Sequence, residues 1–99
     1  MIKKRYFKTK DNVEVTFAAS VPAEVEGVSL VCDAFGWNPE PMKLVGDTWK
    51  TRVRLPLDRS VQFRYLATGG WWLNDEAADG YQADNHGTVN SVVHTHRPG

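Results

Sequence analysis

From residue 49 to residue 68 the chain reads WKTRVRLPLDRSVQFRYLAT, two alternating stretches separated by a turn. In the first stretch apolar residues and threonine alternate with basic residues, and Trp49 shares the phase of Val53. In the second stretch the apolar positions recur at every second residue from 61 to 67. A period of two places neighbouring side chains on opposite faces of a strand. Residues 49–68 therefore predict two half-buried β-strands joined by a turn at residues 56–58.

The same period continues through most of the chain. It recurs at residues 13–17 and 28–30, and a further β-rich run covers residues 88–95. Turn-forming pairs and triplets lie between these runs at residues 11–12, 26–27, 46–47 and 68–70. No window has a helical stripe of useful length. The pattern predicts an all-β fold, a two-sheet β-sandwich of about seven or eight antiparallel strands. Residues 75–87 are rich in Asp, Ala, Gly and Asn and are predicted to form a long surface loop.

Length and charge narrow the classes of function. The 99 residues are enough for a single domain, which we expect to span residues 1–99. Twelve basic and twelve acidic residues cancel, so no overall field attracts the chain to nucleic acid or to an anionic membrane, and neither partner is expected. The basic start is not followed by an apolar stretch, and the one cysteine, Cys32, has no internal disulfide partner. We therefore expect a cytoplasmic protein.

The sequence shows no arrangement of residues that catalysis requires. Cys32 lies inside a strand pattern, which is typical of a small buried residue. The three histidines have no neighbouring nucleophile that the sequence identifies, and no pair of carboxylates frames a cleft as glycoside hydrolysis requires. The sequence therefore predicts a protein that is not an enzyme and needs no cofactor.

Two clusters resemble incomplete metal sites. His94 and His96 would share one strand face, but a zinc site needs three or four ligands, so two solvated residues are the preferred interpretation. Four carboxylates in the 75–87 segment have no calcium-loop spacing and are interpreted as a solvated acidic loop. They are Asp75, Glu76, Asp79 and Asp84. No metal is expected.

The basic N-terminus has two interpretations. Its cations are interleaved with Tyr6 and Phe7, as in some single-strand nucleic-acid sites. Basic residues on an edge strand also prevent edge-to-edge aggregation. The zero net charge favours the second interpretation.

The aromatic residues carry the remaining functional signal. Trp49 is in phase with buried positions and is predicted to face inward. Trp37 lies in a loop sequence after a strand. Trp71 and Trp72 are adjacent, so on a regular strand they cannot both face the core. Exposed rings beside short polar residues are typical of a sugar site, whereas rings that all pack inward would only fill the core.

An ordered series of segments then points to a family. The series includes Gly36-Trp37-Asn38, Gly69-Gly70-Trp71 and Gly87-Thr88-Val89-Asn90-Ser91-Val92-Val93, with matching strands between them from residue 28 to residue 93. It resembles the family 48 carbohydrate-binding modules. These are immunoglobulin-like early-set domains at the front of glycogen branching and debranching enzymes and in the AMP-activated kinase β subunit. The resemblance implies an early-set sandwich.

The resemblance also implies a sugar site. Trp37 and Trp71 would stack on glucose rings, and Arg64 stands where the family has a lysine that donates to hydroxyls. Arg64 is out of phase with Phe63, which independently predicts an outward face. The resemblance further implies that one glucose rim pairs with Thr88 and Asn90, while His86 replaces a leucine of the kinase-type modules.

Two functions follow from these residues. The first is non-catalytic binding of α-1,4-glucan, such as glycogen, starch or a maltooligosaccharide. The alternative is a module of the same fold that has lost sugar affinity and serves a structural or protein-interaction role. Its partner would be a glycogen-metabolism enzyme or a regulatory protein.

Overall fold

Ten β-strands and one short 3-10 turn make up the computed structural model, which describes residues 1–98. The strands are β1 (Ile2–Tyr6), β2 (Asn12–Ala19), β3 (Val28–Cys32), β4 (Glu40–Pro41), β5 (Lys43–Val45), β6 (Thr48–Pro56), β7 (Ser60–Ala67), β8 (Trp71–Leu73), β9 (Gly80–Ala83) and β10 (Val89–His94). The 3-10 turn covers Asp33–Phe35. The all-β prediction is confirmed. The count exceeds seven or eight because β4, β5 and β8 have only two or three residues, too few to show alternation.

The strands form two antiparallel sheets packed as an immunoglobulin-like sandwich. Sheet I has the order β1-β2-β6-β5. Sheet II has the order β4-β3-β7-β10-β9, and β8 pairs with the second half of β7. The turn predicted at residues 56–58 carries the chain from β6 in sheet I to β7 in sheet II. Among residues 1–98, β1 pairs with β2 alone, so the basic N-terminus is an edge strand.

The core fills the space between the sheets with the residues of one alternating phase. Phe17 of sheet I and Phe63 of sheet II are both fully buried, and their rings meet edge to face with centroids 4.8 Å apart. Such a pair contributes about 0.5–1.5 kcal/mol beyond the burial of its area. Trp49 is half-buried and packs against this core, as predicted. Cys32 is buried, and its burial raises the pKa of its thiol.

The segment from residue 75 to residue 87 is not a solvated loop throughout. It contains β9, and Asp75 is only 3% exposed, so the prediction of a solvated acidic loop is wrong for this carboxylate. Asp75 Oδ2 accepts hydrogen bonds from the Met1 ammonium group (2.5 Å) and from the Tyr65 hydroxyl (2.6 Å), and Oδ1 accepts one from the Ala77 N–H (2.8 Å). These donors replace water around the charge, which is why the burial is tolerated.

Further hydrogen bonds fasten this segment to β10. The Asp75 N–H donates to Ser91 Oγ, whose hydroxyl donates to Asn74 Oδ1. The Asn74 amide donates to the carbonyl of Val89, and the Tyr81 hydroxyl donates to the carbonyl of Asp75. The chain after β8 is therefore held against β10, and β9 pairs with β10 at the edge of sheet II.

Two carboxylates of this segment carry lowered pKa values. Burial by itself raises the pKa of Asp75, but hydrogen bonds from the Met1 ammonium group and Tyr65 outweigh it and leave the pKa below its ordinary value. The pKa of Asp79 is lowered for a similar reason. Partial burial raises it, but hydrogen bonds from Lys4 Nζ (2.6 Å) and the His94 N–H (2.8 Å) lower it by more, so it lies below the ordinary value. Both groups are therefore more stable as carboxylates in the folded state.

The C-terminal histidines lie at the surface. His94 ends β10, and its Nδ1 is hydrogen-bonded to Ser60 Oγ at 2.9 Å. His96 is also exposed, and the two ring centroids are 6.4 Å apart. None of residues 1–98 belongs to a helix with the length and apolar character needed to cross a bilayer.

Candidate functional site

The outer face of sheet II carries a concavity of about 370 Å³ between β3, β7, β8 and β10. It is lined by Val31, Trp37, Arg64, Trp72, Asp84 and Asn90, and we call it the tryptophan groove. Val31 lies directly opposite Arg64 in the register and is 2% exposed, so it forms part of the floor. The volume falls within the range of about 300–1,000 Å³ that small-molecule sites occupy.

Trp37 is placed by a strained turn at the end of β3. After the 3-10 turn, Gly36 and Trp37 both have φ of 64°. That region suits glycine but costs a tryptophan about 1–2 kcal/mol. The Trp37 N–H donates to the carbonyl of Cys32 at 2.9 Å, which fixes the turn, and the side chain is 44% exposed. Strain that presents an exposed ring to a groove indicates a functional position.

The second tryptophan of the groove is Trp72, whereas the resemblance points to Trp71. The loop between β7 and β8 has three residues, with Ala67 opposite Trp71 and Leu66 opposite Trp72. Directly opposed residues share a face, and Ala67 faces the core side. Trp71 is thus on the opposite side of the strand from the groove, folded over Gly69 and 69% exposed. The structure therefore separates Trp71 from the other predicted site residues.

Alternation leaves open which of Trp71 and Trp72 faces outward, and the resemblance selects Trp71, although the sequence carries a signal for Trp72. Shifting a strand by one residue exchanges its two faces, so the length of the loop decides which tryptophan faces outward. A loop of three residues after Ala67 puts Trp72 in phase with Arg64. The guanidinium carbon of Arg64 lies 5.9 Å from the centroid of the Trp72 ring, a cation–π contact that orients the indole.

Arg64 is the polar centre of the groove, on the outward face as predicted. Its Nε donates to Asn90 Oδ1, and its Nη2 donates to Thr88 Oγ1 (2.7 Å) and to Asp84 Oδ2 (3.0 Å). Within residues 1–98 its Nη1 has no hydrogen-bond partner, so two N–H donors remain for a ligand. The guanidinium is therefore held in one position with part of its capacity free.

Thr88 and Asn90 lie beside Arg64, where they hold the arginine in place. Asn90 is 6% exposed, and its amide also donates to Gln62 Oε1 at 2.9 Å. The Thr88 hydroxyl donates to Asp84 Oδ2. His86 is exposed near the groove without lining it, and its backbone N–H donates to Asp84 Oδ1 at 2.8 Å. The structure thus groups Trp37, Arg64, Thr88 and Asn90, with His86 at the margin.

Asp84 completes this arrangement and was predicted only as part of a solvated loop. Its Oδ1 accepts from the N–H groups of His86 and Thr88, and its Oδ2 accepts from Thr88 and Arg64. The hydrogen bond from the Thr88 hydroxyl, followed by those from the two N–H groups, lowers the pKa of Asp84 to about 2. A carboxylate that accepts from the N–H two residues later forms an Asx turn. The spacing Asp-x-His-x-Thr is the sequence signal for it.

Acid should destabilise the domain because Asp75, Asp79 and Asp84 all have lowered pKa values in the folded state. A carboxyl group of this kind stabilises the fold above its unfolded pKa of about 3.9, and the gain is lost as the pH falls through the folded value. We expect the urea midpoint to be constant above about pH 5 and to fall steadily toward about pH 2. Urea titrations across this range measure it, and an equal midpoint at both ends would contradict the assignment.

Comparisons with known proteins support the fold alone. No protein-family model matches the chain, and no curated protein matches it. Among solved structures, the enterobactin esterase of Shigella flexneri superimposes with a TM-score of 0.75 at 11% identity, over 95% of this chain and 32% of the esterase chain. The ferric enterobactin esterase of Salmonella typhimurium gives 0.77 at 12% identity, over 95% and 34%. The chain thus spans about a third of these esterases and shares the fold of that part.

Proposed function

We propose that this chain is a non-catalytic module that binds α-1,4-linked glucan, such as glycogen, starch or a maltooligosaccharide. One observation carries the proposal: two half-exposed indoles, those of Trp37 and Trp72, line the same groove as the anchored guanidinium of Arg64. The resemblance to the family 48 modules supports the choice of glucan over other sugars. In the proposed site Trp72 takes the place that the resemblance gives to Trp71.

The chemistry of the groove matches the two surfaces of a pyranose. An indole covers the apolar C–H face of the sugar ring, which removes apolar area from water. The free N–H groups of Arg64 donate to hydroxyl oxygens on the rim of the ring. Because Asn90, Asp84 and Thr88 already hold the arginine, little side-chain entropy is lost when the sugar arrives.

The open shape of the groove determines the affinity that we expect for glucan. Only two rings and one guanidinium meet the ligand, so we expect a Kd between about 1 μM and 1 mM, or about −8 to −4 kcal/mol. Longer oligosaccharides should bind more tightly than maltose because they contact both indoles. This range suits a domain that keeps contact with a polymer through many weak, exchangeable sites.

Tryptophan fluorescence during titration with maltoheptaose or β-cyclodextrin tests the proposal. Saturable quenching is expected, since the indoles of Trp37 and Trp72 lose contact with water. Arg64→Gln should weaken binding by about tenfold, the loss of one charge-assisted hydrogen bond. Fluorescence unchanged at millimolar sugar would contradict glucan binding and favour the structural or protein-interaction alternative.

A further inference from the structure

The outer face of sheet I has a different character from the tryptophan groove. Six exposed cations project from it, and we call this surface the basic face. They are Lys3 and Arg5 on β1, Lys50, Arg52 and Arg54 on β6, and Lys43 on β5. The one acidic residue in the same phase is Glu14 on β2. The zero net charge of the chain therefore conceals a face on which six cations outnumber one carboxylate.

The register arranges these cations in rungs across the sheet. Arg5, Glu14 and Arg54 lie opposite one another, and Lys3, Thr16 and Arg52 form the next rung. In the third rung Ala18 is followed by Lys50 and Lys43. Successive rungs are two residues, or about 6.8 Å, apart along the strands. The outward side chains of β2 between the cations of β1 and those of β6 are Glu14, Thr16 and Ala18.

The cations of this face are not engaged with carboxylates of the chain. In the described part, 1–98, the ion pairs formed by side-chain cations are those of Lys4 with Asp79 and Arg64 with Asp84, neither on the basic face. Arg54 donates to Asn12 Oδ1, and its guanidinium also stacks on the Phe7 ring at 4.5 Å. The positive charge of the face is therefore left for an external partner.

Protection of sheet edges accounts for only part of this arrangement. It explains the cations on β1 and β5, and also Arg52 and Arg54, because the pairing of β5 with β6 ends at Lys50. It does not explain Lys50, which is paired with Ala18 on one side and with Lys43 on the other. Solubility is served by interspersed charges of both signs. Moreover, Lys43 and Lys50 are direct cross-strand partners, and like charges in such a pair are destabilising. A destabilising pair of like charges that is retained on a regular sheet indicates a function.

We propose that the basic face docks an acidic segment of a partner protein in extended conformation, with carboxylates at alternate residues. An extended chain projects side chains to one side at every second residue, about 6.8 Å apart, which equals the spacing of the rungs. Its carboxylates would meet Lys50, Arg52 and Arg54 in turn while its backbone lies over Thr16 and Ala18 of β2.

The surface favours a polypeptide over other polyanions. Single-stranded nucleic acid needs exposed rings for base stacking, and the ring beside this face, Phe7, is half-buried and already covered by Arg5, Lys10 and Arg54. A membrane-surface site needs large apolar side chains among its cations, and within the described strands of sheet I the one such residue in the phase of this face is Val45, at the edge. An extended acidic polypeptide is the polyanion that remains, because its carboxylates can be spaced at the strand period of two residues.

The proposal is independent of glucan binding because the two surfaces lie on opposite sides of the sandwich. The basic face belongs to sheet I and the tryptophan groove to sheet II. A glucan and an acidic partner can therefore bind at the same time. Variants of either sheet distinguish failure of one proposal from failure of the other.

Fluorescence anisotropy with a labelled peptide of alternating glutamate and serine tests the docking surface. We expect binding at about 0.02 M salt that weakens at about 0.15 M, since exposed charge pairs are screened. The double variant Arg52→Glu/Arg54→Glu should lose about tenfold or more in affinity. Matched controls are Arg59→Glu, an exposed cation in the β6–β7 turn, and Arg64→Gln in the groove, both of which should leave affinity within about twofold.

Several outcomes would overturn the proposal. They are failure of the peptide to bind, equal binding of a same-composition peptide with paired glutamates, and tighter binding of oligo-dT or phosphatidylserine vesicles. Loss of affinity by misfolding is distinguished with Lys50→Gln, which removes the Lys43–Lys50 repulsion. This variant should weaken peptide binding while raising the thermal midpoint by about 1–6 °C. A lower midpoint would show that Lys50 serves stability and would contradict the functional interpretation.

Discussion

Replacing Trp72 with alanine is expected to remove most of the affinity for maltoheptaose. Loss of a tryptophan at the centre of a binding site costs about 2 kcal/mol or more, which corresponds to about thirtyfold in Kd. The side chain of Trp72 is 52% exposed and stacks only with Arg64 among the contacts described, so the fold should survive. Isothermal titration calorimetry measures the change in affinity, and circular dichroism checks the fold.

Trp71→Ala is the matched control for this prediction. The two tryptophans are neighbours in sequence and both are exposed, but they project from opposite faces of β8. We expect Trp71→Ala to leave the affinity within about twofold, since a residue outside the contact contributes little. If Trp71→Ala abolished binding and Trp72→Ala did not, the assignment of the groove would be wrong.

Among the variants proposed for this domain, Asp75→Asn is expected to lower the free energy of unfolding the most. Asparagine keeps the shape but turns one acceptor into a donor. In one orientation this donor faces the Tyr65 hydroxyl and the Met1 ammonium group, and in the other it faces the Ala77 N–H, so a hydrogen bond is lost in either case. Tyr65 is buried, so its hydroxyl would exchange an ionised acceptor for a neutral one or for none, away from water. Such losses cost about 2–4 kcal/mol, a large part of the 5–15 kcal/mol of a small domain.

Thermal unfolding followed by circular dichroism measures this effect. For a domain of this size, about 2–4 kcal/mol lowers the midpoint by about 8 °C or more. Glu76→Gln is the control, because it removes a charge from the adjacent, exposed residue. A midpoint for Asp75→Asn equal to that of the control would contradict the role of the buried carboxylate.

The alternation of apolar residues was sufficient to predict the sandwich. It identified the strands that bury one face, such as β2, β6 and β7, because burial imposes the period of two on the sequence. The short strands β4 and β8 could not be predicted in this way, since pairing with a longer neighbour supports them where a pattern cannot form. For the same reason the sheet to which each strand belongs emerged only from the structure.

Only part of the site could be predicted, because the face from which a side chain projects depends on the register of its strand. The outward position of Arg64 follows from its own strand, whereas the choice between Trp71 and Trp72 depends on the length of the loop before them. Asp75 and Asp84 are acidic residues in a polar segment, and no periodicity separates a buried or network carboxylate from a solvated one. Their roles depend on donors distant in sequence, such as Tyr65 and Arg64.

The basic face shows the same limit for charge. Composition counts twelve cations and twelve anions, and this balance argued against a field. Only the pairing of β1, β2, β6 and β5 brings the cations to one side of sheet I. Net charge is therefore a poor guide to local electrostatics in a sandwich, because each sheet exposes one phase of its own strands.

Indole resonances offer the most direct test of the central claim, that glucan binds between Trp37 and Trp72. The four tryptophans give four indole N–H signals in a nitrogen-15 correlation spectrum, each a separate reporter. During titration with maltoheptaose we expect the signals of Trp37 and Trp72 to move, while those of Trp49 and Trp71 stay in place. Movement of Trp71 without Trp72, or no movement at millimolar sugar, would contradict the account.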